Sequence, residues 1–141
     1  MTKPIRVACV DDNKLLAEAV ERRLSMDSSF EWAGWVSHTE RLIEDVDRLE
    51  PDVVLLDIDM PGRDPLDLLH DLASHRPESR VVMFSGLVGR DYVDRAIDAG
   101  AWGYISKNAS IEEVLGAIRQ VAAGEFALTS DVMAEHRRPD D

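Results

Sequence analysis

The chain has 141 residues, enough for one globular domain and too few for a second folded module of comparable size. Apolar residues make up 45% of it and charged residues 31%, which supplies a real core and excludes general disorder. With 28 acidic residues against 16 basic ones the formal charge is −12, which repels a phosphate backbone and argues against nucleic-acid binding by this segment.

The first apolar run, Ile5 to Val10, predicts a strand, and it is too short for a signal-peptide core or a membrane span. Neither export nor membrane insertion is expected. The lone Cys9 lies in this run without a partner for an internal disulfide; it reads as an inert buried thiol and fits a reducing cytoplasm. Next, Leu15, Leu16, Ala19, Val20 and Leu24 recur at helical spacing. A second strand is expected over Trp32 to Val36. A second helix carries Leu42, Ile43, Val46 and Leu49 and is closed by Pro51.

The third strand is predicted over Val53 to Ile58. The third helix has a clear start: Asp64 can cap it, Pro65 suits its first position, Asp67 favours the positive end of its dipole, and Leu66, Leu69 and Leu72 form its stripe. Strands over Arg80 to Phe84 and Trp102 to Ile105 follow. A fourth helix from Arg90 to Asp98 stops at Gly100. A fifth opens with Ser110 and Glu113 in capping-box spacing and ends at Gly124. Five short apolar strands alternating with amphipathic helices give an α/β fold, an open, doubly wound parallel sheet with helices on both faces. Residues 1–124 form that domain. Residues 125–141 end in Arg137, Arg138, Pro139, Asp140 and Asp141 and read as a C-terminal tail or truncated linker, frayed by default.

In such sheets the reactive groups lie beyond the carboxyl ends of the strands. There the sequence puts Asp11 and Asp12, Asp57, Ser85 followed by Gly86, and Lys107. Three carboxylates within about 5 Å repel one another by about 3 kcal/mol per pair at an effective dielectric near 20, so a cation is needed. Oxygen ligands with no His or Cys beside them select a hard ion, and Mg²⁺ suits one or two carboxylates, waters and a phosphoryl oxygen. Lys107 would act as a point charge for that phosphoryl group.

These residues resemble the receiver domain of bacterial two-component response regulators, from about Ile5 to Ala123. The resemblance rests on Asp11-Asp12, on Val53 through Asp57-Ile58-Asp59-Met60-Pro61-Gly62, on Ser85-Gly86 and on Gly103-Tyr104-Ile105-Ser106-Lys107. The stretch from Gly100 to Gly124 looks closest to the LuxR-type (NarL/FixJ-like) branch, which carries a helix-turn-helix domain in transcription regulation. The resemblance implies a flavodoxin-like strand order of 2-1-3-4-5. It implies Asp57 as phosphoacceptor, Mg²⁺ held by Asp11, Asp12, Asp57 and the Asp59 backbone carbonyl, and Ser85 and Lys107 on the phosphoryl group. Ser85 and Tyr104 would be the switch residues. The protein would be a phosphoacceptor switch rather than a turnover enzyme, with a histidine kinase or phosphotransfer protein as donor. Output is expected through a surface of the fourth helix, fifth strand and fifth helix, with homodimerisation there as one form. Pro65 departs from the glycine common in the family, and Asp59 and Leu87 occupy positions that tune phosphoryl lifetime.

Taken singly, each site residue has a plainer reading: Asp11-Asp12 as a helix cap, Ser85 as a turn residue, Lys107 as a solvated lysine, Tyr104 as a partly buried strand aromatic. Their joint placement at successive strand ends favours the site. His38, His70, His75 and His136 lack ligand spacing. Trp32, Trp35 and Trp102 read as packing residues, with a partner-facing role left open for Trp102. The chief rival is a phosphatase of the haloacid-dehalogenase type, suggested by Asp57-Ile58-Asp59; an acidic pair on an earlier strand speaks against it. A phosphorylation-independent scaffold is the third reading, weakened because no site residue is missing.

Overall fold

The computed structural model describes residues 3–137. Its elements in chain order are β1 (Ile5–Val10), α1 (Lys14–Ser25), β2 (Phe30–Val36), α2 (Leu42–Leu49), β3 (Val53–Leu56) and α3 (Pro65–His75). Then come β4 (Arg80–Ser85), α4 (Arg90–Ala99), β5 (Gly103–Ser106), α5 (Ile111–Ala122), β6 (Ala127–Leu128) and α6 (Ser130–His136). All strands pair in parallel in the order β2-β1-β3-β4-β5-β6.

Alternation along the strands builds two cores. Val7, Cys9, Leu55, Val82, Phe84 and Ile105 meet α1 and α5 through Val20, Leu24, Leu115, Ile118 and Val121. Val10, Val54, Leu56, Val81, Met83 and Tyr104 point the other way, onto Val46, Leu69, Leu72 and Val93 of α2, α3 and α4. Period-two strands buried on both faces therefore read as continuous apolar runs.

The helix starts follow the chemistry of their caps. Asp64 accepts from the Leu66 N–H at 2.8 Å ahead of Pro65, and Ser110 accepts from the Glu113 N–H at 3.2 Å. The second half of that capping box does not form: the Glu113 carboxylate turns instead to the Ser130 N–H and hydroxyl. At α1 the cap is Asn13, which accepts from Leu16 N, so Asp11 and Asp12 are free of that task.

Strand β3 ends at Leu56 rather than Ile58, because its partner β1 ends at Val10 and the chain then turns, the Asp59 N–H bonding back to Asp57 Oδ1 at 3.1 Å. Among the described residues the sheet has six strands, not five. β6 spans two residues, too few for an apolar pattern to show, and pairs Ala127 with Gly103 and Leu128 with Tyr104. A Cβ on Gly103 would lie 2.5 Å from the Ala127 carbonyl oxygen, so only glycine admits this neighbour. α6 follows and buries Val132 completely in the α3/α4 core. The segment expected to fray is thus ordered as far as His136; Arg138, Pro139, Asp140 and Asp141 lie outside the described residues.

Candidate phosphoacceptor site

The crossovers bring the carboxyl ends of β1, β3, β4 and β5 side by side, and four of the five positions read from the sequence meet there. Asp11 and Asp12 follow β1, Asp57 follows β3 and Lys107 follows β5. Backbone bonds fix the strand ends: Asp11 N to Val36 O, Asp57 N to Val10 O and Lys107 N to Ser85 O, at 3.1, 2.9 and 2.9 Å. Asp11 and Asp57 are buried, at 1% and 4% exposure, while Asp12 is open to solvent. One carboxylate oxygen from each of the three lies within 4.8 Å of the others.

Lys107 reaches into this cluster. Its ammonium is 2.8 Å from Asp11 Oδ2 and 3.3 Å from Asp57 Oδ1. The Asp11 approach is an ion pair without hydrogen-bond alignment, and among the described residues nothing donates a hydrogen bond to Asp11 Oδ2 although it is fully buried. Burial, and then the charge of Asp11, push the Asp57 carboxyl above its ordinary value against the pull of the Asp59 N–H and of Lys107. Burial works against charge on Lys107, yet the two aspartates outweigh it and hold the ammonium above its usual value. A buried carboxylate oxygen that accepts no hydrogen bond, in an all-oxygen donor set, suits a hard divalent cation. Cys9 takes no part: burial, with Asp11 next, pushes its thiol up to about 12.

Ser85 lies at the end of β4, fully buried, but its hydroxyl accepts from the Leu87 N–H at 2.9 Å; among the described residues no hydrogen bond joins it to Asp57. Tyr104 is wholly buried rather than half-open, and its hydroxyl donates to the Leu87 carbonyl. Trp102 is partly buried against the α1/α5 core with the Arg80 guanidinium 4.7 Å over its ring. It precedes β5, at the end of the sheet away from the aspartates, so neither aromatic offers open surface beside the site. His75 and His136 pair with Asp47 and Asp94 on the surface, each at 2.9 Å.

The sequence reading missed Trp35. Its indole N–H donates to the Asp11 carbonyl at 2.6 Å. No helical or strand periodicity announces that contact.

The family profile described as the response regulator receiver domain matches residues 7–119. The nitrate/nitrite response regulator protein NarL of Escherichia coli (strain K12) is 35% identical over 127 residues, 90% of this chain and 59% of that protein. Response regulator GacA of Pseudomonas aeruginosa is 35% identical over 128 residues, 91% of this chain and 60% of that protein. The chain therefore spans about three-fifths of the length of these curated relatives. Among solved structures, a LuxR-family response regulator from Aurantimonas sp. SI85-9A1 superposes with a TM-score of 0.87 at 22% identity, covering 94% of this chain and 95% of that one. The receiver domain of a NarL regulator from Mycobacterium tuberculosis does so with 0.81 at 30% identity, covering 88% and 100%. Fold, acidic cluster and family profile agree, and the chain belongs to the receiver domains of two-component response regulators, whose members are phosphorylation-activated.

Proposed function

We propose that Asp57 is the phosphoacceptor. The observation that carries this is the Lys107 ammonium set between two buried carboxylates, Asp11 and Asp57, at the carboxyl end of the sheet. Asp57 Oδ1 is occupied by the Asp59 N–H and by Lys107, while among the described residues no group donates to Oδ2. Oδ2 is thus the attacking atom. It forms the O–P bond as the P–N bond of a phosphohistidine breaks, and the electron pair leaves on the imidazole nitrogen, which is then protonated. A histidine kinase or phosphotransfer protein is the donor.

Asp11, Asp12, Asp57 and the Asp59 backbone carbonyl would hold Mg²⁺, which when bound supplies positive charge against the developing phosphoryl oxygens. Lys107 exchanges its contact with Asp57 Oδ1 for a phosphoryl oxygen, and Ser85 rotates from the Leu87 N–H toward the same group. Because Leu87 also takes the Tyr104 hydroxyl, that rotation changes the loop between β4 and α4. The output surface is the face of α4, β5 and α5; β6 pairs with β5 and α6 packs on α4 and β5, so a partner that reads this face displaces α6. A homodimer through this face is one form of output.

Residues 1–124 make the switch, with residues 125–141 as its C-terminal segment; a solved RcsB structure from Salmonella enterica is bound to promoter rprA, whereas the −12 charge disfavours nucleic-acid binding by this chain. The domain acts as a switch that acquires and loses one phosphoryl group, not as a turnover enzyme. The free thiol of Cys9 fits a reducing cytoplasm.

Intact mass after incubation with acetyl phosphate tests the assignment. One added phosphate is expected with Mg²⁺, and none in excess EDTA or in Asp57→Asn. Full phosphorylation of Asp57→Asn would overturn it.

A further inference from the structure

The register of β2 against β1 slips by one residue between Val7 and Ala8: Val7 pairs with Trp32, but Ala8 pairs with Gly34 and Cys9 with Trp35. Ala33 is the extra residue of a β-bulge. Side chains alternate along a strand, so without this insertion Trp35 would stand opposite Val10 and face the α2/α3 side of the sheet. With it, Trp35 shares the face of Cys9. Gly34 permits the distortion at φ +156, where a Cβ would come within 2.8 Å of Leu49 Cδ2. The re-aimed indole stands at the rim of the aspartate cluster, 37% exposed, and its N–H donates to the Asp11 carbonyl at 2.6 Å. The Asp11 N–H is bonded in turn to the Val36 carbonyl at 3.1 Å. β2 therefore grips Asp11 through both its backbone groups. The carbonyl in question belongs to the peptide joining Asp11 to Asp12.

We propose that Trp35 is a positioning residue: its indole N–H fixes the Asp11–Asp12 peptide and so sets the spacing at which the acidic cluster takes a divalent cation. This rests on the metal-binding reading above. A partner that orients a ligating group from behind typically changes metal affinity by about 10–100-fold when removed. The bulge supplies such a partner from an edge strand that contributes no ligand of its own.

Mg²⁺ binding by isothermal titration calorimetry on the whole chain and on Trp35→Phe, which keeps a ring and loses the donor, is the test. The dissociation constant is expected to rise about 10-fold or more. In the parent, the Trp35 indole N–H resonance, identified by its loss in the variant, is expected to shift with added Mg²⁺; should Trp35→Phe not fold, Trp35→Tyr serves for assignment. Equal Mg²⁺ affinity in parent and folded variant, or an indole resonance unmoved at saturating Mg²⁺, overturns the role of Trp35 and leaves the metal site standing. A parent that binds no Mg²⁺ overturns the metal reading and this inference with it.

Discussion

The Lys107 ammonium lies nearer to Asp11 Oδ2, at 2.8 Å, than to Asp57 Oδ1, at 3.3 Å. It therefore holds the cluster together before any phosphoryl group arrives. Lys107→Ala leaves two buried carboxylates facing each other without a cation. The expected loss is about 2 kcal/mol in EDTA, less than for a fully buried pair because the lysine is itself a quarter exposed. Saturating Mg²⁺ should recover most of it. Urea denaturation with and without Mg²⁺ measures both, and a loss that Mg²⁺ leaves unchanged would refute the shared role of the two cations.

Asp57→Asn should do the opposite. The folded protein raises the Asp57 pKa, so between the ordinary aspartate value and that raised value the native state binds more protons than the unfolded chain. Stability of the parent then falls as pH rises through this window. The asparagine variant lacks that slope. In EDTA at neutral pH it should melt higher than the parent, and the advantage should vanish below the ordinary aspartate range, about pH 3.9, where both side chains are neutral. Parallel melting curves across pH check this. A variant less stable than the parent at neutral pH in EDTA would contradict it.

Tyr104 is among the largest fully buried side chains, which separates two substitutions that look alike on paper. Tyr104→Ala should cost about 3–5 kcal/mol through the cavity it leaves, and so reports on folding rather than signalling. Tyr104→Phe removes one hydrogen bond, to the Leu87 carbonyl, at about 1 kcal/mol. Its signature should be faster amide exchange over Leu87 to Gly89, with the far end of the sheet unchanged. No change in that loop would mean that the hydroxyl does not restrain it.

The reach of sequence reasoning follows from these contacts. Asp11, Asp12, Asp57 and Lys107 were legible because parallel strands deliver their carboxyl ends to one edge whatever the details of packing. Side-chain direction was not: the Ser85 hydroxyl turns to Leu87 and Tyr104 points inward, and neither choice leaves a trace in spacing. Trp35 escaped because a single inserted residue reverses its face, and a bulge is visible only against the partner strand. β6 escaped because two residues carry no period; its existence is written in Gly103, whose lack of a Cβ reads as a motif glycine until the Ala127 carbonyl is seen above it.

The last prediction concerns α6, which ties the two elements next to the site. Thr129 Oγ1 accepts the Ser106 N–H at 3.0 Å, one residue before Lys107, and Val132 is completely buried against the α3/α4 core. From the far end of the helix the His136 carbonyl takes both Arg90 Nε and Nη2, at 3.2 and 2.8 Å, and the His136 ring lies 2.9 Å from Asp94. α6 thus spans β5 and α4, two elements of the proposed output face. Val132→Ala should cost about 1–2 kcal/mol from the lost apolar burial. The loss should be accompanied by faster exchange in α4, around Val93 and Ala96, because both share the core that Val132 fills. Urea denaturation and amide exchange read the two effects. If Val132→Ala is neutral in both, α6 is not docked in solution, and the α4–β5 face lies open for a partner instead.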